Sequence, residues 1–453
     1  MINYKIIALL LVNVILFLIG FNLFESFSII IFIYLISDFI NKFSREIVIL
    51  ELIAIYAFLC WLISPILCYY FFDENSYHGS LWGTYMPIDS VSYLSYSLPA
   101  VVAFVFGLRL NAFNSLPISF QEIKSDLRSY LKDKGFISTY LCIIGISCHI
   151  IALYVPSSIK SILEIIAFSY YAAIFYAYYS NYTYKKAIIL ICVAFILYDI
   201  VRSGMFGNPL FVFVIGIIII CYGADLNYKI KYFIFGIGII FIALIQSLKA
   251  DYRAKSWSGS EKIADTAYMY QLVTERIANP KILVEPDHIY GLVNRFNNGL
   301  YVARAIQYVP INEPYAYGET ILISILSTFV PRFAWVDKPK TGGEYMTCRF
   351  LGDCLHEEHS YNIGILGEAY VNFSSIGGCV FMFFYGLLLN YLFSFSLRLY
   401  SVRPTIILWL PILWVTAVGI ETDFLTVFNS FMKSALIVFI LYKSIELLRS
   451  IKI

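Results

Sequence analysis

Nine cations, two histidines and one glutamate stand out in a sequence of low overall charge. Arg202 closes an apolar run in DIVRSGMFGNP, and the planar fork of an arginine suits phosphate oxygens, although an arginine at a membrane boundary can also simply snorkel. Arg253 lies with Lys249 and Lys255 in SLKADYRAK, where Asp251 offers the plainer reading of a solvated charge cluster. Arg295 and Arg304 fall in NRFNNGLYVARA, on or beside a helical pattern. Arg332, Lys338 and Lys340 share VPRFAWVDKPK, a proline-fixed basic hairpin suited to a phosphate at headgroup depth or to plain contact with anionic lipid. His359 is the candidate general base, because histidine titrates nearest working pH, and His356 competes with it. Glu368 is the second candidate, since a carboxylate at a membrane boundary can have its pKa raised.

The elements that must position these groups are membrane helices. The chain has 453 residues, of which 60% are hydrophobic, 18% aromatic and only 14% charged. Apolar runs at 6–22, 26–40, 47–71, 91–109, 136–155, 160–179, 187–201, 209–223, 231–248, 363–394, 404–420 and 424–446 approach or reach the ~20 residues that cross a bilayer. The expected fold is therefore an all-α polytopic membrane protein of about twelve transmembrane helices. The run 6–22 lacks a small-residue cleavage site and reads as a retained helix. The run 363–394 is long enough to start as a polar, partly re-entrant segment.

Lysine and arginine gather in alternate loops, at Lys42 and Arg45, at Arg109 to Lys134, at Lys185 and Lys186, at Lys229 and Lys231, and at Arg398 and Arg403. The opposite loops carry only Lys160 and Arg202. The positive-inside rule then puts both termini in the cytoplasm and one large loop, 249–362, outside. The expected division is helices one to nine over 1–248, that loop over 249–362, and helices ten to twelve over 363–453.

Inside the loop, Ile289, Leu292, Val293, Phe296, Leu300 and Ala303 repeat at helical spacing and predict one amphipathic helix from Asp287 to Tyr308. A less regular helix is expected from Glu261 to Ala278. Ile321–Trp335 is too short to span and is broken by Pro331 and Arg332, so it reads as a helix dipping into or lying on the outer leaflet. Cys348 and Cys354 share the loop and could form a disulfide if it faces an oxidising compartment. Zinc ranks below that, because His356 and His359 complete no obvious ligand set. Glu421-Thr422-Asp423 reads as a solvated or substrate-facing helix cap in preference to a metal site. Lys433, within the last span, reads as one of a buried pair or as a snorkelled chain. No Walker A run or dinucleotide turn is present, and the net charge of +2 with no basic tail points to no nucleic-acid partner.

At these residues the chain resembles the Wzy-type polymerases of bacterial surface polysaccharides. The similar features run in order from the Arg202 segment through NRFNNGLYV, YAYGE, FVPRFAWVDKP and HSYNIGILGEAYVNFSSIGG. The resemblance implies a glycosyltransferase that joins undecaprenyl-diphosphate-linked oligosaccharide repeat units at the periplasmic face of the inner membrane. It implies arginines that hold the departing diphosphate and a base that takes the acceptor's proton. Arg202, Arg253, Arg295, Arg332 and Lys338 are the diphosphate candidates, His359 or Glu368 the base, and Tyr361 or Tyr370 a stacking surface for sugars. No cofactor and no metal are needed for a leaving group that is already activated. The partners would be the lipid-linked glycans, membrane lipids and a co-polymerase that regulates chain length. An O-antigen ligase, a flippase for lipid-linked sugars and a structural subunit of an assembly complex are the competing readings; the absence of internal repeats and the charge concentrated in one loop disfavour the flippase.

Overall fold

The computed structural model describes residues 12–13, 15–110, 120–256, 265–330, 334–335, 337–339, 341–354 and 361–449. From Leu23 onward the described residues are helical with no strand. We number the helices α1 Leu23–Lys42, α2 Ile49–Phe71, α3 Tyr77–Trp82, α4 Ser90–Arg109, α5 Phe120–Leu131, α6 Phe136–Ala152, α7 Ser157–Ala167, α8 Ser169–Tyr179, α9 Lys185–Ser203 and α10 Gly207–Cys221. They continue as α11 Tyr228–Ser256, α12 Thr266–Ala278, α13 Pro286–Phe296, α14 Gly299–Tyr308, α15 Glu319–Phe329, α16 Glu344–Leu351, α17 Gly364–Arg398, α18 Leu410–Val418 and α19 Phe424–Arg449.

Seven segments are long and apolar enough to cross a membrane: α1, α2, α4, Ile162–Tyr179, α11, α17 and α19. An eighth is counted if the pair α5–α6, bent by 85°, is one span. This is the make-up of an all-α membrane protein. α10, α15 and Pro404–Val418 are apolar but shorter. Many of the large apolar side chains on these helices point outward, among them Phe106, Leu190, Phe233, Ile240 and Leu436, as lipid-facing surfaces require.

The core is organised by the crossing of α4 and α17. A methyl group built on Gly107 would lie 2.2 Å from the Phe383 carbonyl, and one on Gly386 would lie 2.2 Å from the Phe104 carbonyl. The two glycines thus let the backbones touch, which is how helices gain packing energy where lipid supplies no hydrophobic drive. Asn390 fixes the register by donating to the Leu110 carbonyl at 2.7 Å. α17 is broken at Ser374 (φ 60°, ψ −170°), so the long span expected to begin with a distinct segment is two helices joined by a kink.

In α2 a π turn at Leu59–Ile63 precedes Pro65, which has no N–H to continue the ladder. The Trp61 carbonyl accepts the Tyr93 hydroxyl at 2.6 Å, and the Trp61 ring is fully buried with its N–H turned toward residue 298.

The single amphipathic helix expected over 287–308 is two helices, α13 and α14, separated at Asn297–Asn298. The apolar periodicity runs through the break, but the two amides end it. Asn297 accepts from the Leu300 N–H at 3.2 Å and donates to the Cys68 sulfur at 3.1 Å, while Asn298 bonds to Trp61 and to the Asn362 carbonyl. The earlier expected helix begins at Thr266, where the Asp265 carboxylate caps the Tyr268 N–H at 2.7 Å. α15 stops at Phe329, and its Phe329 ring meets Phe428 of α19 at 6.2 Å. Cys348 and Cys354 form a disulfide that closes the end of α16.

Candidate functional site

The motif stretches around YAYGE and GEAYVN meet in space. The Ala316 N–H donates to the Val371 carbonyl at 2.9 Å, and the Gly318 N–H to the Asn372 side chain at 3.0 Å. Gly318 has φ +90°, a conformation that favours glycine, and it opens α15. Asn372 also donates to the Thr320 hydroxyl at 2.7 Å, and Thr320 donates onward to Glu368 at 2.7 Å. The second Glu368 oxygen accepts the Phe424 N–H at 2.7 Å. Glu368, only 1% exposed, therefore joins α15, α17 and the start of α19, beside a crevice of about 10 Å³ that it shares with Asp423.

A separate, larger cavity has a volume of about 610 Å³. α11 supplies Lys249, and α13 supplies Asn294 and Arg295. The helix break supplies Asn297 and Asn298, and α14 supplies Tyr301. Thr341, Gly342, Tyr361, Asn362, Glu421, Thr422 and Thr426 complete the lining. The glycine of NIGILGE has a local reason: at φ +68° a methyl on Gly364 would lie 2.3 Å from the Asn298 side-chain oxygen. Tyr301 and Tyr361 stack at 4.6 Å, and the Tyr361 hydroxyl donates to Asp353.

The basic and acidic side chains that line this cavity, among the described residues, are Lys249, Arg295 and Glu421. Arg295 donates to Glu421 at 2.5 Å, and the other Glu421 oxygen accepts the Tyr56 hydroxyl. Burial works against the Arg295 charge, but the Glu421 carboxylate outweighs it and holds the guanidinium above its usual pKa. Burial also raises the Tyr301 phenol, so its hydroxyl stays neutral at working pH. Asp423 does not enter the cavity; it caps α19 by accepting the Thr426 N–H at 2.8 Å. Amide, hydroxyl and phenol groups around a cationic centre can hydrogen-bond a polyhydroxylated ligand and neutralise an attached anion.

Of the residues that the sequence singled out, Lys249, Arg295, Tyr361, Glu421 and Thr422 line this cavity. Arg202 and Arg253 do not line it and lie at the α9–α10 junction. Arg253 donates to the Gly204 carbonyl at 2.9 Å, and Arg202 lies 4.0 Å from Asp199, which is itself 3.0 Å from His149. Lys338 donates to the Val330 carbonyl at the end of α15 at 3.0 Å. Tyr370 is buried among Tyr96 and Tyr315, with ring centroids 5.1 and 6.0 Å away. Arg332, Lys340, His356 and His359 lie outside the described residues.

Sequence reasoning gave no role to the four asparagines of the lining, Asn294, Asn297, Asn298 and Asn362, nor to Thr341 and Thr426, and it missed the pairing of Arg295 with Glu421. The density of amides in NRFNNG was the available signal. Residues 40–450 match the family model described as Domain of unknown function (DUF8712). No curated protein and no solved structure matches the chain.

Proposed function

We propose that this chain, which belongs to the DUF8712 family, is a membrane glycosyltransferase that polymerises oligosaccharide repeat units carried on undecaprenyl diphosphate. The observation that carries the reading is the 610 Å³ cavity, with Arg295 and Lys249 set among asparagine, threonine and tyrosine side chains. The two cations would neutralise the departing diphosphate, and the amides and hydroxyls would hold the sugars. The leaving group is already activated, so the scheme needs no nucleotide and no metal. His359 precedes the cavity residue Tyr361 by two positions in sequence and stays a candidate for contact with the acceptor.

On this reading the chain sits in the bacterial inner membrane with about twelve spans. The run 6–22, α6, α9, α10 and Pro404–Val418 would join the seven long spans. Alternate loop charges support cytoplasmic termini and a periplasmic segment 249–362. The Cys348–Cys354 disulfide supports an oxidising compartment for that segment. The partners would be the lipid-linked glycans, surrounding lipids and a chain-length-regulating co-polymerase.

The test is reconstitution of the purified protein in lipid vesicles with undecaprenyl-diphosphate-linked repeat units from a strain lacking this chain. The expected product is a ladder of extended glycans with release of undecaprenyl diphosphate. No extension overturns the reading. Transfer only to an added lipid A core would make the protein a ligase. Movement of unextended units across the bilayer would make it a transporter.

A further inference from the structure

Glu421 is the one carboxylate among the described residues that line the cavity. Its oxygens are divided: one takes the Arg295 guanidinium at 2.5 Å and the other takes the Tyr56 hydroxyl. Neither ion is sealed off, since the side chains of Arg295 and Glu421 are 31% and 23% exposed. Glu368 is different, because both of its oxygens are committed to Thr320 and Phe424 and it is buried.

Resting on the polymerase reading, we propose that Glu421 is the general base for the acceptor hydroxyl, held by Arg295 until a donor diphosphate takes the guanidinium. A diphosphate offers several charged oxygens and can engage Arg295 through two parallel N–H bonds, while Lys249 adds a second cation in the same cavity. It therefore outcompetes a single carboxylate for the guanidinium. Glu421 is then freed of its ion pair, but Tyr56 keeps it in place. The acceptor O–H bond breaks, and its proton passes to the Glu421 carboxylate. The oxygen's electron pair forms the new bond to the donor's anomeric carbon. The anomeric C–O bond to the diphosphate breaks, and undecaprenyl diphosphate leaves with that electron pair beside Arg295 and Lys249. Glu421 returns its proton to water and re-pairs with Arg295 once the diphosphate departs. Nothing is oxidised or reduced.

The experiment measures glycan extension and undecaprenyl diphosphate binding side by side in vesicles. Glu421→Gln keeps the size and an oxygen for Tyr56, so it should bind undecaprenyl diphosphate at least as tightly as the unaltered chain. Its extension rate should fall about 100-fold or more, the range for loss of a general base. Glu421→Asp retains a carboxylate and should extend faster than Glu421→Gln, which separates a lost base from a misfolded protein. Extension by Glu421→Gln at the original rate overturns the proposal, and so does loss of diphosphate binding in step with the rate. If the unaltered chain extends nothing, the polymerase reading fails and takes this one with it; if only the Glu421 results are contrary, that reading stands.

Discussion

Trp61 gives its indole N–H to the side-chain oxygen of Asn298 at 2.9 Å, deep in the protein and 237 positions away in sequence. Asn298 passes its own amide to the Asn362 carbonyl at 3.1 Å. One asparagine thus ties the π turn of α2 to the break between α13 and α14 and to the entrance of α17. Both Asn298 and Asn362 line the cavity that holds Arg295.

Replacing Asn298 by Ala would strand the Trp61 N–H and the Asn362 carbonyl together. Each buried group left without a partner costs about 1–3 kcal/mol. Trp61→Phe strands only the Asn298 oxygen and should cost less than Asn298→Ala. The double variant should cost less than the sum, because both changes remove the same bond. Unfolding in mixed detergent micelles measures all three, and strictly additive losses would count against the shared bond.

Arg295→Ala removes the cavity's guanidinium and leaves Glu421 with Tyr56 alone. Loss of a preorganised charge aimed at a leaving group costs about 100-fold or more in rate. Arg295→Lys keeps the charge but cannot bridge two oxygens, so extension should survive at a reduced level. Chain-length profiles on gels, normalised to protein in the membrane, check this. Equal profiles for the three proteins would remove Arg295 from the site.

Glu368 offers a contrast, because its contacts are those of a joint between helices. Glu368→Gln can still accept the Phe424 N–H and turn its amide toward Thr320, so at least half of the extension rate should remain. Glu368→Ala leaves the Phe424 N–H without its acceptor and the Thr320 hydroxyl with only the Asn372 amide donating to it, with a stability cost of about 2–5 kcal/mol and low yield. Abolition of extension by the Gln change, with normal stability, would return Glu368 to a catalytic role.

The helices were legible because apolar runs are local. Each of the eleven expected spans from 26 onward has a helix or a broken pair of helices within it. The importance of YAYGE and GEAYVN was legible too, although what their Gly318, Glu368 and Asn372 do among the described contacts is hold helices together. The break at Asn297–Asn298 was hidden, since the apolar period continues through it and the partners that cause it, Cys68 and Trp61, lie more than two hundred positions earlier. Glu421 was read as part of a solvated or substrate-facing cap, but its pairing with Arg295 was hidden for the same reason. It stands 126 positions from Arg295, and an acidic triplet beside a helix start reads locally as a cap, which is what Asp423 is.

The Cys348–Cys354 disulfide gives a test of where the segment lies. The two cysteines are six positions apart, and closing so short a loop constrains the unfolded chain by about 2 kcal/mol in the chain-entropy treatment. Cys348→Ser with Cys354→Ser should therefore lower stability by about that amount without abolishing insertion. Arg349, next to Cys348, should keep its bonds to Glu313 at 2.7 Å and Glu319 at 3.1 Å, which limits the damage to α16. In sealed cells a maleimide that cannot cross the inner membrane should label these two cysteines only after a reductant is added. The seven remaining cysteines are not pairs of this kind and are buried or partly so, and a variant lacking them removes their background. Labelling without reductant would show a free pair of thiols, and labelling only after the inner membrane is opened would put the segment in the cytoplasm and remove a periplasmic polymer from the reading.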